Sequence, residues 1–464
     1  MLGGATLNAR QITDGDSVST LCLGHPLTFV RAQHGWTTRG FPILMNNQAK
    51  SMGLSLAHNR GTTHKWEHGQ TPDKTAQRVL ASLLGLEDSD WSPEDWPNWL
   101  PVGPSGVLGV PWSATGTVDL LTTLSRTGHM DRRRFVTITG AALGALAAGW
   151  ADAPGAFAAA SNGDRVTATM VDSLEKRVQA LRELDAEMGG GKLLADARQD
   201  FKTISSVIAN GRYTEAIGIR LHRLAAQVSY MVGWMSYDTG LLSAGQSYYT
   251  GALYSAKAAG DDAFGAFVLV DIGVLGGEVG HLNDRLSMTA TALAGAPKNM
   301  PPQVESYLTL SHAGSLREIG DHRSAAKALA KAETLLDRAV SDDDLPAYLG
   351  WFGETTMESS RGKLLVSVGH YDEASEALER SVAKAAPRDA AVRSARLAEV
   401  RLMGRNLDGA LEAAHKGLAL LEGAVSSSRA VNRLYEFADQ LSGHSAEPSV
   451  VEFRERLDAV RQAA

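Results

Sequence analysis

Two histidines and a glutamate stand at a metal-site spacing in "RGTTHKWEHGQTP", Arg60 to Pro72, where His64, Glu67 and His68 spell HxxEH. On a helix this puts two imidazoles on one face at i and i+4, with the carboxylate placed as a general base, the arrangement of zinc proteases. Such a site also needs a third ligand and a helix long enough to hold the first two. Gly69 and Pro72 stop the helix at once, Trp66 calls for burial, and no later Glu/His group offers the ligand. No bound metal is expected.

The same stretch suits hydrogen bonding to duplex DNA. With Asn59 as the N-cap, Thr63 and Trp66 face a small core while Arg60, Thr62, His64 and Lys65 point outward. Arg60 then reaches guanine or phosphate and the others phosphates or base edges, so Asn59, Arg60, Thr62, His64 and Lys65 form the candidate DNA-binding set. A helix that enters the major groove needs neighbours to carry it. "HPLTFVRAQHGW" after Pro26, "FPILMNNQAKSMGLSLA" and "KTAQRVLASLLGL" read as those helices, the last with Val79, Leu80, Leu83 and Leu84 on one face. Pro42 is tolerable only in a first turn, and Gly61 in an exposed helix interior would cost roughly 1 kcal/mol against alanine.

Chain-wide numbers bound the setting. At 464 residues, 44% hydrophobic and 21% charged, the chain is globular and too long for one ordinary core. Its formal net charge of -7 excludes a wholly basic nucleic-acid coat but not a small DNA-binding module on an acidic body. Cys22, the only cysteine, excludes an intrachain disulfide and a cysteine zinc site, which fits a reducing cytoplasm. No nucleophile–base arrangement, phosphate loop or paired carboxylate stands out, so neither an enzyme nor a cofactor is expected.

Patterning divides the chain into five segments. Residues 1–24 read as a flexible tail, 25–90 as the DNA-binding helical domain, and 91–129 as a Trp/Pro/Gly-rich linker in which Trp91, Trp96 and Trp99 either dock or stay exposed. Residues 130–160 carry Arg132 and Arg133, then Phe135, an apolar run and Ala156 to Ala158, like a twin-arginine export signal. Lying about 130 residues into the chain and short of the roughly 20 residues of a membrane span, the run is expected to be a small-residue helix packed on the C-terminal domain.

Residues 165–464 read as helix pairs. A turn pattern recurs in "NGRYTEA", "TGLLSAG", "VGHLNDR", "IGDHRSA", "VGHYDEA" and "MGRNLDGA", where glycine ends the first helix and a small residue often comes five places on, as at Ala216, Gly245, Ala325, Ala374 and Gly409. Spacings of 35 to 49 residues between Gly240, Gly280, Gly320, Gly369 and Gly404 approach the roughly 34-residue tetratricopeptide period. "SDDDL" from Ser341 reads as a solvated loop. Stacked pairs expose a concave groove that binds rather than catalyses. Its candidate lining is Tyr230, Trp234, Tyr237, Tyr248 and Tyr249, with burial between helices as the alternative role.

Taken in order, "HPLTFVRAQHGW", "RGTTHKWEHGQTPD", "QRVLASLLGL", "WPNWLP", "MDRRRF" and "GRYTEAIGIRLHRLAAQVSYMVGWMSYDTG" resemble actinobacterial (Streptomyces-type) transcriptional regulators with an XRE-type helix-turn-helix and C-terminal tetratricopeptide repeats. The resemblance implies an all-α chain: a lambda-repressor-like helix-turn-helix domain followed by a tetratricopeptide-like α-solenoid. It further implies a dimeric regulator of transcription that binds double-stranded DNA; the expectation is a cytoplasmic protein with a peptide, small-molecule or protein ligand in its repeat groove, a membrane contact of residues 130–160 staying open as the alternative. Two other readings stay open: a repeat scaffold without DNA binding, and an exported repeat protein translated from Met130.

Overall fold

The computed structural model describes residues 27, 30–31, 36–67, 70–84, 92–93, 96, 100, 110–126, 141–153, 163–278, 280–338, 346–423 and 425–463. The tail, Cys22, His68, Trp91, Trp99, the Met130-to-Phe135 segment, Ala156 to Ala158 and the Ser341 acidic loop lie outside them. The chain divides into two compact units, Met1–Val102 and Gly103–Ala464.

In the smaller unit α1 (Gly40–Ser51), α2 (Arg60–Glu67) and α3 (Lys74–Leu83) enclose a core of Leu27, Val30, Phe41, Met45, Trp66, Val79 and Leu80. Pro42 sits in the first turn of α1 and Gly61 in that of α2, where the missing or weakened helical bonds cost little. Helix α1 is shorter than its apolar pattern suggests, because Gly53 turns the backbone left-handed at φ +68° and Leu54 N–H then bonds back to the Ala49 carbonyl. The connection to α2 therefore spans eight residues, 52–59, where the common helix-turn-helix uses a turn of three or four. Asn46 pins this connection by accepting from His58 N–H at 3.0 Å and donating to the His58 carbonyl at 2.8 Å.

The larger unit begins within the segment read as a linker. Its α4 (Ala114–Arg126) buries Leu120, Leu121 and Leu124, and Trp112 stacks on Tyr254 with centroids 3.8 Å apart. Helix α5 (Ala141–Asp152) drives Trp150 into the same core, where glycines 265 and 295 leave the space that a Cβ would otherwise fill, at 2.5 and 2.7 Å from the indole. Among the described residues no helix is long and apolar enough to cross a membrane.

From residue 168 the chain runs as antiparallel helix pairs. They are α6 (Ala168–Met188) with α7 (Gly190–Asn210), α8 (Glu215–Asp238) with α9 (Leu242–Ala258), and α10 (Asp262–Glu278) with α11 (Leu282–Gly295). Then come α12 (Pro302–Glu318) with α13 (His322–Asp337), α14 (Glu354–Ser367) with α15 (Tyr371–Ala383), α16 (Pro387–Met403) with α17 (Leu407–Glu422), and α18 (Ser428–Gln440) with α19 (Pro448–Ala463). This is an all-α, tetratricopeptide-like repeat architecture.

One turn geometry recurs between helices. At Gly240, Gly260, Gly280, Gly320 and Gly369 φ lies between +66° and +88°, and the two N–H groups of each turn bond back to helix carbonyls, as Gly320 does to Arg317 and Asp321 to Leu316. Nothing lies within 4 Å of a Cβ at any of these five positions, so the backbone, not space, selects glycine. Two turns depart from the expected pattern. At "MGRNLDGA" the left-handed residue is Arg405 at φ +60°, and the buried small residue five places later is Ala410 rather than Gly409. At "NGRYTEA" Gly211 is extended and pairs with Asp164 in a two-residue parallel bridge, which leaves Ala216 exposed.

The array closes on itself. Arg388 of α16 pairs with Asp185 of α6, Asp238 at the end of α8 accepts from Ser427 Oγ at 2.8 Å and lies 3.3 Å from Arg429, and Ser426 N–H bonds to the Met188 carbonyl. Gly189, at φ +79°, stands against the Ser426 carbonyl, which a Cβ would approach to 2.5 Å. The late helices thus seal the opening left by the early ones.

Candidate functional site

The curved array encloses a cavity of about 360 Å³ lined mainly by the first helix of each pair. Helical spacing explains which residues reach it: 230, 234 and 237 on α8, 271, 274 and 278 on α10, 307, 310 and 314 on α12, 356, 359 and 363 on α14, 389, 392 and 396 on α16. Three of the five expected aromatics are there, Tyr230, Trp234 and Tyr237. Tyr248 and Tyr249 are not. Both sit on α9 on the far side of the interface, Tyr248 against Phe201 and Tyr249 stacked on Tyr230 at 5.3 Å, so they belong to the core. Tyr307, Tyr348 and Trp351 complete the aromatic surface.

Charge dominates the rest of the lining, with nine arginines and lysines against five carboxylates among the described residues. The carboxylates are all engaged. Glu318 accepts from Arg285 at 2.7 Å and Arg317 at 2.9 Å, Asp389 from Arg388 at 3.2 Å, and Asp185 from Arg388; Glu278 accepts from the Tyr237 hydroxyl at 2.9 Å. Asp271 is held by the hydroxyls of Tyr230 and Tyr307 at 2.6 and 2.7 Å. Burial raises its carboxyl to about 6, against the two hydroxyls, which favour the charged form. Trp234 has two guanidiniums within cation–π reach of its ring, Arg388 at 5.1 Å and Arg429 at 4.9 Å from the centroid, which helps to hold the indole in the cavity lining. The cations did not stand out as a set in the sequence. The signal was a stripe at i, i+3 or i+4, and i+7 along the first helices from α8 to α16.

In the smaller unit the structure puts Asn59, Arg60, His64 and Lys65 on the exposed side of α2 and buries Thr63 and Trp66 on the other. Asn59 and Thr62 are bound to each other: Asn59 Oδ1 accepts from Thr62 N–H at 3.0 Å and from its half-buried hydroxyl at 3.3 Å, the expected N-cap. Their side chains therefore serve the helix end, and Arg60, His64 and Lys65 carry the outward surface. Arg60 and Lys65 have no acidic partner among the described residues. Glu67 is largely buried and accepts from Arg31 Nε at 2.7 Å, so the carboxylate that the HxxEH spacing would use as a base is paired with a guanidinium. His58 is buried beside Trp66, its ring 2.8 Å from the Thr63 hydroxyl, and burial holds it down to about 4.

No family model matches the sequence, and no curated protein does. Solved structures with similar folds include a Rap protein complexed with competence and sporulation factor (12% identity, TM-score 0.35, covering 63% of this chain and 98% of that one). Others are the Cut9–Hcn1 assembly of the APC/C (14%, 0.34, 88% and 73%) and yeast Tom70 (14%, 0.30, 92% and 88%). At these scores the likenesses carry no inference about what this chain binds.

Proposed function

We propose that the chain is a ligand-responsive DNA-binding regulator whose repeat unit is the receptor: the cavity takes up an anionic ligand, either a small molecule or a peptide segment. The observation that carries the receptor reading is an excess of cations around an aromatic-floored cavity of about 360 Å³, within the roughly 300–1,000 Å³ range of small-ligand sites. Aromatic faces supply contact area and the cations supply selection for negative charge. Calorimetric titration of acidic peptides and small organic anions into the full chain and into Ser360→Phe tests this, since Ser360 lines the cavity and a phenylalanine ring there obstructs part of it. Uptake lost in the variant supports the reading, whereas uptake unchanged by the variant moves the site elsewhere.

The DNA-binding part rests on a separate observation, the exposed Arg60 and Lys65 on a capped helix whose opposite side is buried. Homodimerisation belongs to the same proposal, because single modules of this size read too few bases for specificity. Binding to a genomic duplex should weaken with salt, and Arg60→Ala and Lys65→Ala should each reduce both the affinity and the salt slope, the slope by about 1. Ligand binding without any DNA binding would leave a repeat receptor or scaffold.

A further inference from the structure

We infer that the part of the cavity lined by Lys363, Arg396 and Arg317 is a subsite for a doubly charged oxyanion, such as a phosphoryl group or a closely paired dicarboxylate. This deepens the receptor reading and rests on it.

Lys363 on α14 and Arg396 on α16 both line the cavity, yet neither makes a hydrogen bond or ion pair with a described residue. The surrounding groups make this worse rather than better. Arg317, Arg285 and Arg433 are close enough to act on Lys363 electrostatically, and the carboxylate of Glu318 is shared between Arg317 and Arg285. The carboxylates of Glu399 and Glu436 stand 4.0 and 3.9 Å from Arg433, at the limit of an ion pair. The Arg396 guanidinium and burial together hold the Lys363 ammonium well below its usual range, and burial with Arg433 lowers Arg396 as well, a field that Glu399 offsets only in part.

Repelling cations in a recess cost stability unless something negative joins them. A single carboxylate accepts one bidentate guanidinium and leaves the other cations unmatched. A phosphoryl group or a dicarboxylate presents three or more acceptor oxygens and two negative charges, which matches an ammonium flanked by guanidiniums.

Thermal unfolding of the full chain tests the subsite, with inorganic phosphate or malonate as the probe and chloride at matched ionic strength as the reference. The expected result is a rise in Tm of a few degrees with at least one of the two anions, lost in Lys363→Met and reduced in Arg396→Gln. Lys363→Met should also be more stable than the native chain when no anion is added, because it removes a repelled charge; a variant that merely misfolds would move the other way. A response to phosphate alone assigns a phosphorylated ligand, and to malonate alone a dicarboxylic one. No stabilisation beyond chloride, or stabilisation that survives both substitutions, overturns the subsite. Should Ser360→Phe still abolish calorimetric uptake in that event, the receptor reading stands and only the anion subsite falls.

Discussion

His58 and Asp271 are both buried titratable groups, and they push stability in opposite directions with pH. The His58 ring, tucked against Trp66, titrates at about 4 in the folded chain and at 6.5 when free. Between those values the unfolded chain binds the extra proton, so stability is full above pH 6.5 and falls as pH drops toward 4, by at most roughly 3 kcal/mol. Hydrogen exchange of the segment 59–67, corrected for intrinsic rates, should lose protection across that window; protection that holds constant would place the ring in contact with water. Asp271 titrates at about 6 when folded, above its ordinary 3.8, so the folded chain holds the extra proton and stability falls as pH rises from about 4 to about 6. Asp271→Asn should flatten that part of the urea-midpoint profile. An unchanged slope would mean that the two tyrosine hydroxyls already compensate its burial.

Among the elements, the recurrent turn is the feature most directly testable. Gly320 has open space around it and φ +86°, so Gly320→Ala should destabilise by about 1 kcal/mol through backbone strain alone. Arg405 occupies the same conformation at φ +60° with a side chain, and Arg405→Gly should gain about as much, read as a shift of the urea midpoint at constant slope. Equal effects of opposite sign would establish one turn type at both places. These turns are why the repeat array was legible in the sequence: a left-handed residue admits few types, so glycine marks it at 240, 280, 320 and 369. Where Arg405 takes over, the sequence pattern slips by one residue, and at Gly211 a bridge to Asp164 replaces the turn. In the smaller unit the cap at Asn59 and the buried pair Thr63 and Trp66 were legible because they are local. The end of α1 was not, since its apolar residues continue past Gly53 into a connection held by Asn46. Tyr248 and Tyr249 could not be told from Tyr230 by type. Only the side of the helix interface on which each lies separates lining from core.

Across the whole larger unit, the decisive contacts join residues about two hundred positions apart, and nothing in the local sequence announces them. Asp185 and Arg388 are both buried and pair across the closure. Burial raises the Asp185 carboxyl while Arg388 opposes it. Arg388→Met, which leaves that carboxylate without its partner, should cost about 3–5 kcal/mol, and adding Asp185→Asn should recover part of the loss. A double-mutant cycle on thermal denaturation checks this, and strictly additive effects would mean that the two side chains do not meet in solution.

Closure also sets a rule for how the cavity can vary. In an open stack, adding or dropping a helix pair lengthens or shortens the binding surface by one increment. Here Asp238 must still find Ser427 and Met188 must still find Ser426, so the number of pairs between them is fixed by geometry. Variants of this architecture can reshape the cavity only by exchanging side chains on the inward stripes, never by changing repeat number, unless the seam itself is rebuilt.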